Sequence, residues 1–323
     1  RLLSETTSLL LNHKVMAEEK EESLDSNRKL LSLIRDSLLP QYEHILMAPD
    51  PVPLYALKLL VALTEHSPAS VRCLVEENHL FPALFQVILE HQDNILGNTT
   101  QTAVALLNNV VTSKSTNMML LFAEGLAPHV CNLLIETVAL YLEADDKSST
   151  KTANALLLSL LDILHCMLMF TTNIVRQTLQ AQKSGAGGDT QAAEDLLLIN
   201  KPLTDLISLL IQLLPSEDIE IFENASRCLS LLVQLYGGNS QESMTPENMD
   251  SFAEVLKSRQ ETRHRKVLLR IIKRLVTSNE KRSESLKSDG DALLRALQSL
   301  AQPASCHADV AVASLASEIL RTV

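Results

Sequence analysis

"EGLAPHVCNLL", Glu124–Leu134, sets a glycine and then a proline inside a run of helix formers. Glycine takes the left-handed backbone that ends a helix without the clash other residues meet. Proline in the first turn of a helix gives up an amide hydrogen that has no partner there. The stretch therefore reads as stop at Gly125, turn, and restart at Pro128. The layout recurs in "ENHLFPALFQVIL" (Glu77–Leu89), with Pro82 near a helix start. "SDGDALLRALQSL" (Ser288–Leu300) stops at Gly290 and lacks the proline, whereas "INKPLTDLISLLIQLL" (Ile199–Leu214) keeps Pro202 and lacks the glycine.

A longer, leucine-rich helix follows each junction. The periodicity predicts such helices over Pro51–His66, Asn98–Ser113, Ser149–Asn173, Glu217–Gly237, Thr262–Ser278 and His307–Val323. Short amphipathic pieces lie between several of them: "PASVRCLVEEN", "STNMMLLFAEG" and "SNEKRSESLKSDG". The order short helix, stop, helix, turn, long helix resembles the armadillo repeat, and successive long-helix starts lie roughly 45 to 68 residues apart, a loose match to the period of armadillo and HEAT units. One such unit cannot bury its leucines alone, so neighbours must stack. The expected fold is all-α, a right-handed α-solenoid of armadillo/HEAT-type helical repeats. Residues 1–50 are expected to form an N-terminal cap or partial repeat, turning at the charged "EEKEESLDSNR" (Glu18–Arg28). Repeats are expected over 51–181 and 192–323, joined by a flexible Gly-rich loop over 182–191. "GGNSQESMTPEN" (Gly237–Asn248) should end one helix and restart the next at Thr245–Pro246.

Composition agrees. The chain is 46% apolar and 3% aromatic, with no Trp and no sustained alternation of strand formers. A net charge of −11 argues against general binding of nucleic acid, which needs a basic surface. The five cysteines are far apart, without CxxC or Cys/His spacing, and read as free thiols in a reducing compartment. "ALLLSLLDILHCMLMF" (Ala155–Phe170) is short for a membrane span and carries Asp162 and His165, so a buried helix is expected. No charged-then-apolar leader opens the chain, and its first residue is Arg1, so a fragment of a longer protein is expected.

Little here suggests catalysis. The glycines of 182–191 lack phosphate-loop spacing, the nine histidines are scattered, and no nucleophile motif occurs. No enzyme activity, cofactor, metal or membrane insertion is expected. One constellation stands out. On Thr262–Ser278, Leu268, Ile271, Ile272 and Leu275 cluster on one side, while Arg263, Lys266, Arg270, Lys273 and Arg274 fall within roughly a 100° arc opposite. His264 and Arg265 add positive charge beside it. The stripe is either a partner site for an acidic peptide or a solvated face balanced by acids such as Glu280 and Glu284.

Armadillo likeness would put this long helix in a peptide-binding groove. Importin-like members hold extended peptides with an Asn in each third helix. Here "ALLNN" supplies Asn108, while the matching positions hold Ala62, Gln234, Arg274 and Glu318. A lone Asn makes no ladder, which argues against importin-style recognition. Asn108 and Gln234 remain candidate groove residues.

Three stretches carry a closer likeness: "LINKPLTDLISLLIQLLPSEDIEIFENASRCLSLLVQLYGG" (Leu198–Gly238), "QKSGAGGDTQAAEDLLL" (Gln182–Leu198) and "SLLPQYEHILMAPDPVPLYALKLLVALTEH" (Ser37–His66). They resemble the C-terminal repeat region of the pseudokinase branch of the Unc-51-like kinase family; the Fused kinase is the nearest confusable relative. The resemblance implies a scaffold that follows a kinase-like domain, works with Fused, and belongs to cilia, microtubules and neuronal development. It implies a cytoplasmic protein at the ciliary base or axoneme. Docking on the family's own kinase-like domain and direct binding of acidic tubulin tails are the alternatives. Oligomeric state is left open.

Overall fold

The structure, a computed structural model, describes residues 1–12, 28–144, 147–185, 190–237, 243–302 and 309–323. The expected charged turn at Glu18–Arg28 lies almost wholly outside these residues, as does the centre of the Gly-rich loop. Every regular element among the described residues is helical. The chain divides into two compact units, Arg1–Cys166 and Met167–Val323.

In the first unit, helices α1 (Leu2–Asn12), α2 (Tyr42–Leu46), α3 (Val52–His66), α4 (Pro68–Arg72), α5 (Phe81–Glu90), α6 (Asn98–Thr112), α7 (Met118–Ala123) and α8 (Leu126–Glu143) follow in order. The predicted long helices α3 and α6 lie side by side, with α1 against the other flank of α3. Leu57, Leu60 and Leu63 of α3 and Ala103, Val104, Leu107 and Val110 of α6 are buried. Burying each large aliphatic chain contributes about 1.5–3 kcal/mol. Tyr42 closes the layer beneath, donating its hydroxyl to the Ala56 carbonyl at 3.0 Å.

The opening junction behaves as its residues require. Gly125 takes a left-handed φ of 93° between α7 and α8, and Pro128 sits in the first turn of α8. At the preceding junction His79, with a φ of 47°, fills the left-handed role. Gly290 also ends a helix, but for another reason. Its backbone is right-handed, and a Cβ there would lie 2.6 Å from the Leu286 carbonyl oxygen. Close approach requires that glycine, not a left-handed turn.

Helix α9 (Lys147–Lys183) is 37 residues long and extends past the predicted end at Asn173. Between Leu156 and Leu168 most of its leucines are buried. The stretch Thr150–Lys183 is long and apolar enough to cross a membrane by length and composition, and about half of an 18-residue apolar window within it is buried.

The second unit continues with α10 (Thr190–Ile199), α11 (Leu206–Leu213), α12 (Ile219–Tyr236), α13 (Pro246–Ser258), α14 (Thr262–Thr277), α15 (Glu280–Asp289), α16 (Asp291–Ala301) and α17 (Val310–Thr322). Pro202 starts a tight 3-10 turn, Lys201–Asp205, that leads into α11. Thr245 caps α13 by accepting from the Asn248 amide, and Pro246 occupies its first turn. Two layers form: α11, α13 and α16 pack in succession, and so do α12, α14 and α17. Asn248, fully buried, ties α13 to α11 by donating to Ser208 Oγ at 2.9 Å. A single helix, α13, lies between α12 and α14 among the described residues, a two-helix unit of HEAT type. Three helices, α15 to α17, make the following unit, as in an armadillo repeat. The fold is an all-α stack of helical repeats.

Candidate interaction face

Helices α12, α14 and α17 run parallel. Glu223 meets Arg263 near the starts of α12 and α14, and a Cβ on Gly237 would lie 3.8 Å from Ser278 Cβ near their ends. Between α14 and α17, Lys266 meets Asp309 near the starts and Lys273 meets Glu318 farther along. Parallel neighbours place side chains one repeat apart at matching heights.

The apolar side of α14 folds inward as the spacing requires, with Leu268, Leu269, Ile271, Ile272, Leu275 and Val276 buried. The cations opposite divide into two groups. Arg263 pairs with Glu223, Lys273 pairs with Glu318, and the Lys266 ammonium lies 3.0 Å from Asp309 Oδ2. These three clasp α14 to its flanking helices. The hydrogen bond from Lys266 holds the Asp309 carboxyl below the usual carboxylate range, and the Lys273 bond does the same for Glu318.

Arg270 and Arg274 form the second group. Both are exposed, and among the described residues no carboxylate pairs with either guanidinium. The expected balancing acids, Glu280 and Glu284, are exposed on α15 and take no part in these pairs. The counter-charges come instead from the neighbouring repeats.

His264 belongs to the packing of the face. Its ring is buried edge-on against Phe222, with centroids 4.9 Å apart, and its nitrogens face Glu223 at 3.4 Å and Glu261 at 3.6 Å. Arg259 stacks over the same Phe222 ring at 4.8 Å and donates to the Ser216 carbonyl. Arg265 donates to the Arg259 carbonyl at 2.9 Å, so it holds the α13–α14 turn and is not part of the exposed stripe. A groove of about 420 Å³ runs between α12 and α14, lined by Phe222, Glu223, Ser226, Arg227, Arg263 and Val267.

Gln234 is exposed on α12, three turns beyond Glu223 and on the same face. By the parallel register it stands at the height of Arg274. Asn108 lies in the other compact unit, half-buried on α6. Its neighbour Asn109 makes the interhelical contact, donating to Thr64 Oγ1 of α3 at 3.1 Å. One helical step separates the two side chains by about 100°, turning Asn109 toward α3 and leaving Asn108 on the outer face. That face continues Gln101 and Ala105, which line an open groove of about 740 Å³ with Lys58 and Glu65 of α3. The charges there are mixed.

Arg227 on α12 and Arg321 on α17 were missed by the sequence reading. Both are exposed cations on the helices that flank α14. Aligning the long helices by repeat, not scanning each alone, would have found them. Among the described residues no cluster of His, Cys, Asp and Glu is arranged to hold a metal. Among the described residues, Cys73, Cys131, Cys166 and Cys228 are not joined in disulfides.

Residues 1–72 match a family profile described as Serine/threonine-protein kinase ULK4-like, HEAT repeats. Over 301 residues, 93% of this chain, the sequence is 62% identical to the Serine/threonine-protein kinase ULK4 of Mus musculus. The chain spans 23% of that relative's length. A computationally designed armadillo repeat protein for modular peptide recognition aligns over 88% of this chain and 99% of its own, with 17% identity and a TM-score of 0.46. The stretch is a helical repeat region and not a catalytic domain. Over 93% of its length the chain is thus similar to a ULK4 kinase, and its first 72 residues to the HEAT repeats of ULK4-like kinases.

Proposed function

We propose that this chain is a non-catalytic scaffold that recruits protein partners, Fused kinase among them, for ciliary assembly and microtubule regulation. Its place is the cytoplasm, at the ciliary base or axoneme. The observation that carries this reading is the face of α14. Helical stacking consumes the leucines and three of the cations, and leaves Arg270, Arg274 and Gln234 without a structural task. Repeat arrays of this kind act by presenting such surfaces.

The test mixes the purified chain with purified Fused kinase and reads mass by light scattering after gel filtration. A shared peak with the summed mass is expected. Two unshifted peaks at about 100 μM, a concentration at which even weak specific pairs associate, would remove Fused from the reading. A second reading, favoured by the same cationic face, is direct binding of tubulin's acidic tails. It requires co-sedimentation with microtubules that fades steeply as salt is added.

A further inference from the structure

We propose that Arg270 and Arg274, flanked by Arg227 and Arg321, form a docking strip for an acidic peptide segment of the scaffold's partner; this rests on the scaffold reading above. The cations of α14 look equivalent in sequence and are not equivalent in the fold. Arg263, Lys266 and Lys273 already hold Glu223, Asp309 and Glu318. A ligand that used them would have to displace those carboxylates. Among the described residues Arg270 and Arg274 have no carboxylate to give up, so a ligand gains their full charge.

Beside this pair, the Glu318 carboxylate is already held by Lys273. By the parallel register Ser230 and Gln234 of α12 stand beside Arg270 and Arg274, with Ser314 of α17 on the other side. Arg227 contributes only a 3.4 Å contact to the Glu223 carbonyl, and Arg321 lies near Glu318. The two acids beside this strip, Glu223 and Glu318, are each already paired, with Arg263 and Lys273, on a chain whose net charge is −11.

The layout favours a peptide over a phosphate. Arg270 and Arg274 lie one turn apart, about 6 Å along α14. Adjacent packed helices lie about 8–10 Å apart. The guanidinium forks are therefore spread along a line instead of converging on one point. Carboxylates on an extended chain, which advances about 3.3 Å per residue, can meet such a row in turn. Arginine's planar fork suits each of them by paired hydrogen bonds.

The probe is a fluorescently labelled glutamate-rich peptide, titrated with the full chain and read by anisotropy. Binding that weakens with salt is expected. Arg270→Gln with Arg274→Gln should weaken it roughly tenfold or more, the scale of two lost charged contacts. Lys287→Gln with Arg295→Gln, exposed cations on other helices, should leave it unchanged. Circular dichroism and melting curves establish that both variants fold as the parent does. Equal binding by parent and the Arg270/Arg274 variant overturns the proposal. So does failure of the peptide to bind while anionic lipid vesicles or heparin bind through the same arginines. A parallel arm measures Fused capture. Peptide binding without Fused capture removes that partner but keeps the strip, whereas Fused capture that ignores the double substitution removes the strip but keeps the scaffold.

Discussion

Gly125 and Gly290 do the same task by different physics, and substitution separates them. At Gly125 an added methyl group meets no close neighbour but must adopt a left-handed backbone. Gly125→Ala should therefore cost about 1–2 kcal/mol. At Gly290 the backbone is ordinary and the obstacle is the Leu286 carbonyl. Relief there requires the turn itself to move, so Gly290→Ala should cost about 1–3 kcal/mol, as overpacking does. Urea denaturation of both variants checks this; parent-like midpoints would contradict it. Cys73 offers a pH test. Burial, then its hydrogen bond to Glu77, pushes the thiol up to about 11. Between the ordinary thiol range and about 11, the folded chain keeps a proton that the unfolded chain loses. Stability therefore falls as pH rises through that window. Cys73→Ala should flatten the alkaline limb of a melting-temperature profile, and a thiol reagent at neutral pH should label Cys73 only after denaturation. Labelling at the rate of a free thiol would contradict the burial argument.

Among the elements, α14 is held on both sides by partners from other repeats, and that makes acid a probe of its seating. The lysines hold Asp309 and Glu318 below the usual carboxylate range. The folded chain thus releases these protons at lower pH than the unfolded chain. Their stabilising contribution is present above the ordinary carboxylate range and is lost as pH falls through it toward the lowered folded values. Lys266→Met with Lys273→Met should flatten that acid limb in thermal melts; parallel curves would show that the pairs are incidental. The start of α14 at Thr262 was legible in sequence because a leucine stripe at helical spacing leaves little freedom. The partners of its cations were not legible. They lie 40 or more residues away, and only the parallel stacking of helices brings them to one height. Proximity in sequence pointed to Glu280 and Glu284 instead. The end of α9 was misread for a related reason. "TTN" at Thr171–Asn173 looks like a stop, but Thr171 bonds the Met167 carbonyl one turn back at 2.9 Å. Its hydroxyl is satisfied inside the helix, so the helix runs on to Lys183.

At the scale of the whole molecule, the chain comprises two compact units, and repeat stacks derive stability from nearest neighbours. Damage in one unit should therefore stay local. Phe252, fully buried in α13, is a suitable place to test this. Phe252→Ala should cost about 3–5 kcal/mol. In hydrogen exchange the loss of protection should fall on α11 to α14 and leave α3 and α6 as in the parent. Uniform loss along the chain would mean that the units unfold as one. The N-cap of α13, the two-layer packing of α11 to α17 and the long helices all follow from local residue patterns. The division between Cys166 and Met167 falls inside a single helix, where no turn residue marks it, and no local pattern predicts it.

The most direct measurement is hydrogen exchange on this chain, alone and saturated with Fused kinase or with the acidic peptide. The account predicts slowed exchange concentrated on α14 and the adjoining faces of α12 and α17, and its disappearance in the Arg270→Gln, Arg274→Gln variant. Protection that falls on other helices, or that persists unchanged in the variant, would contradict it.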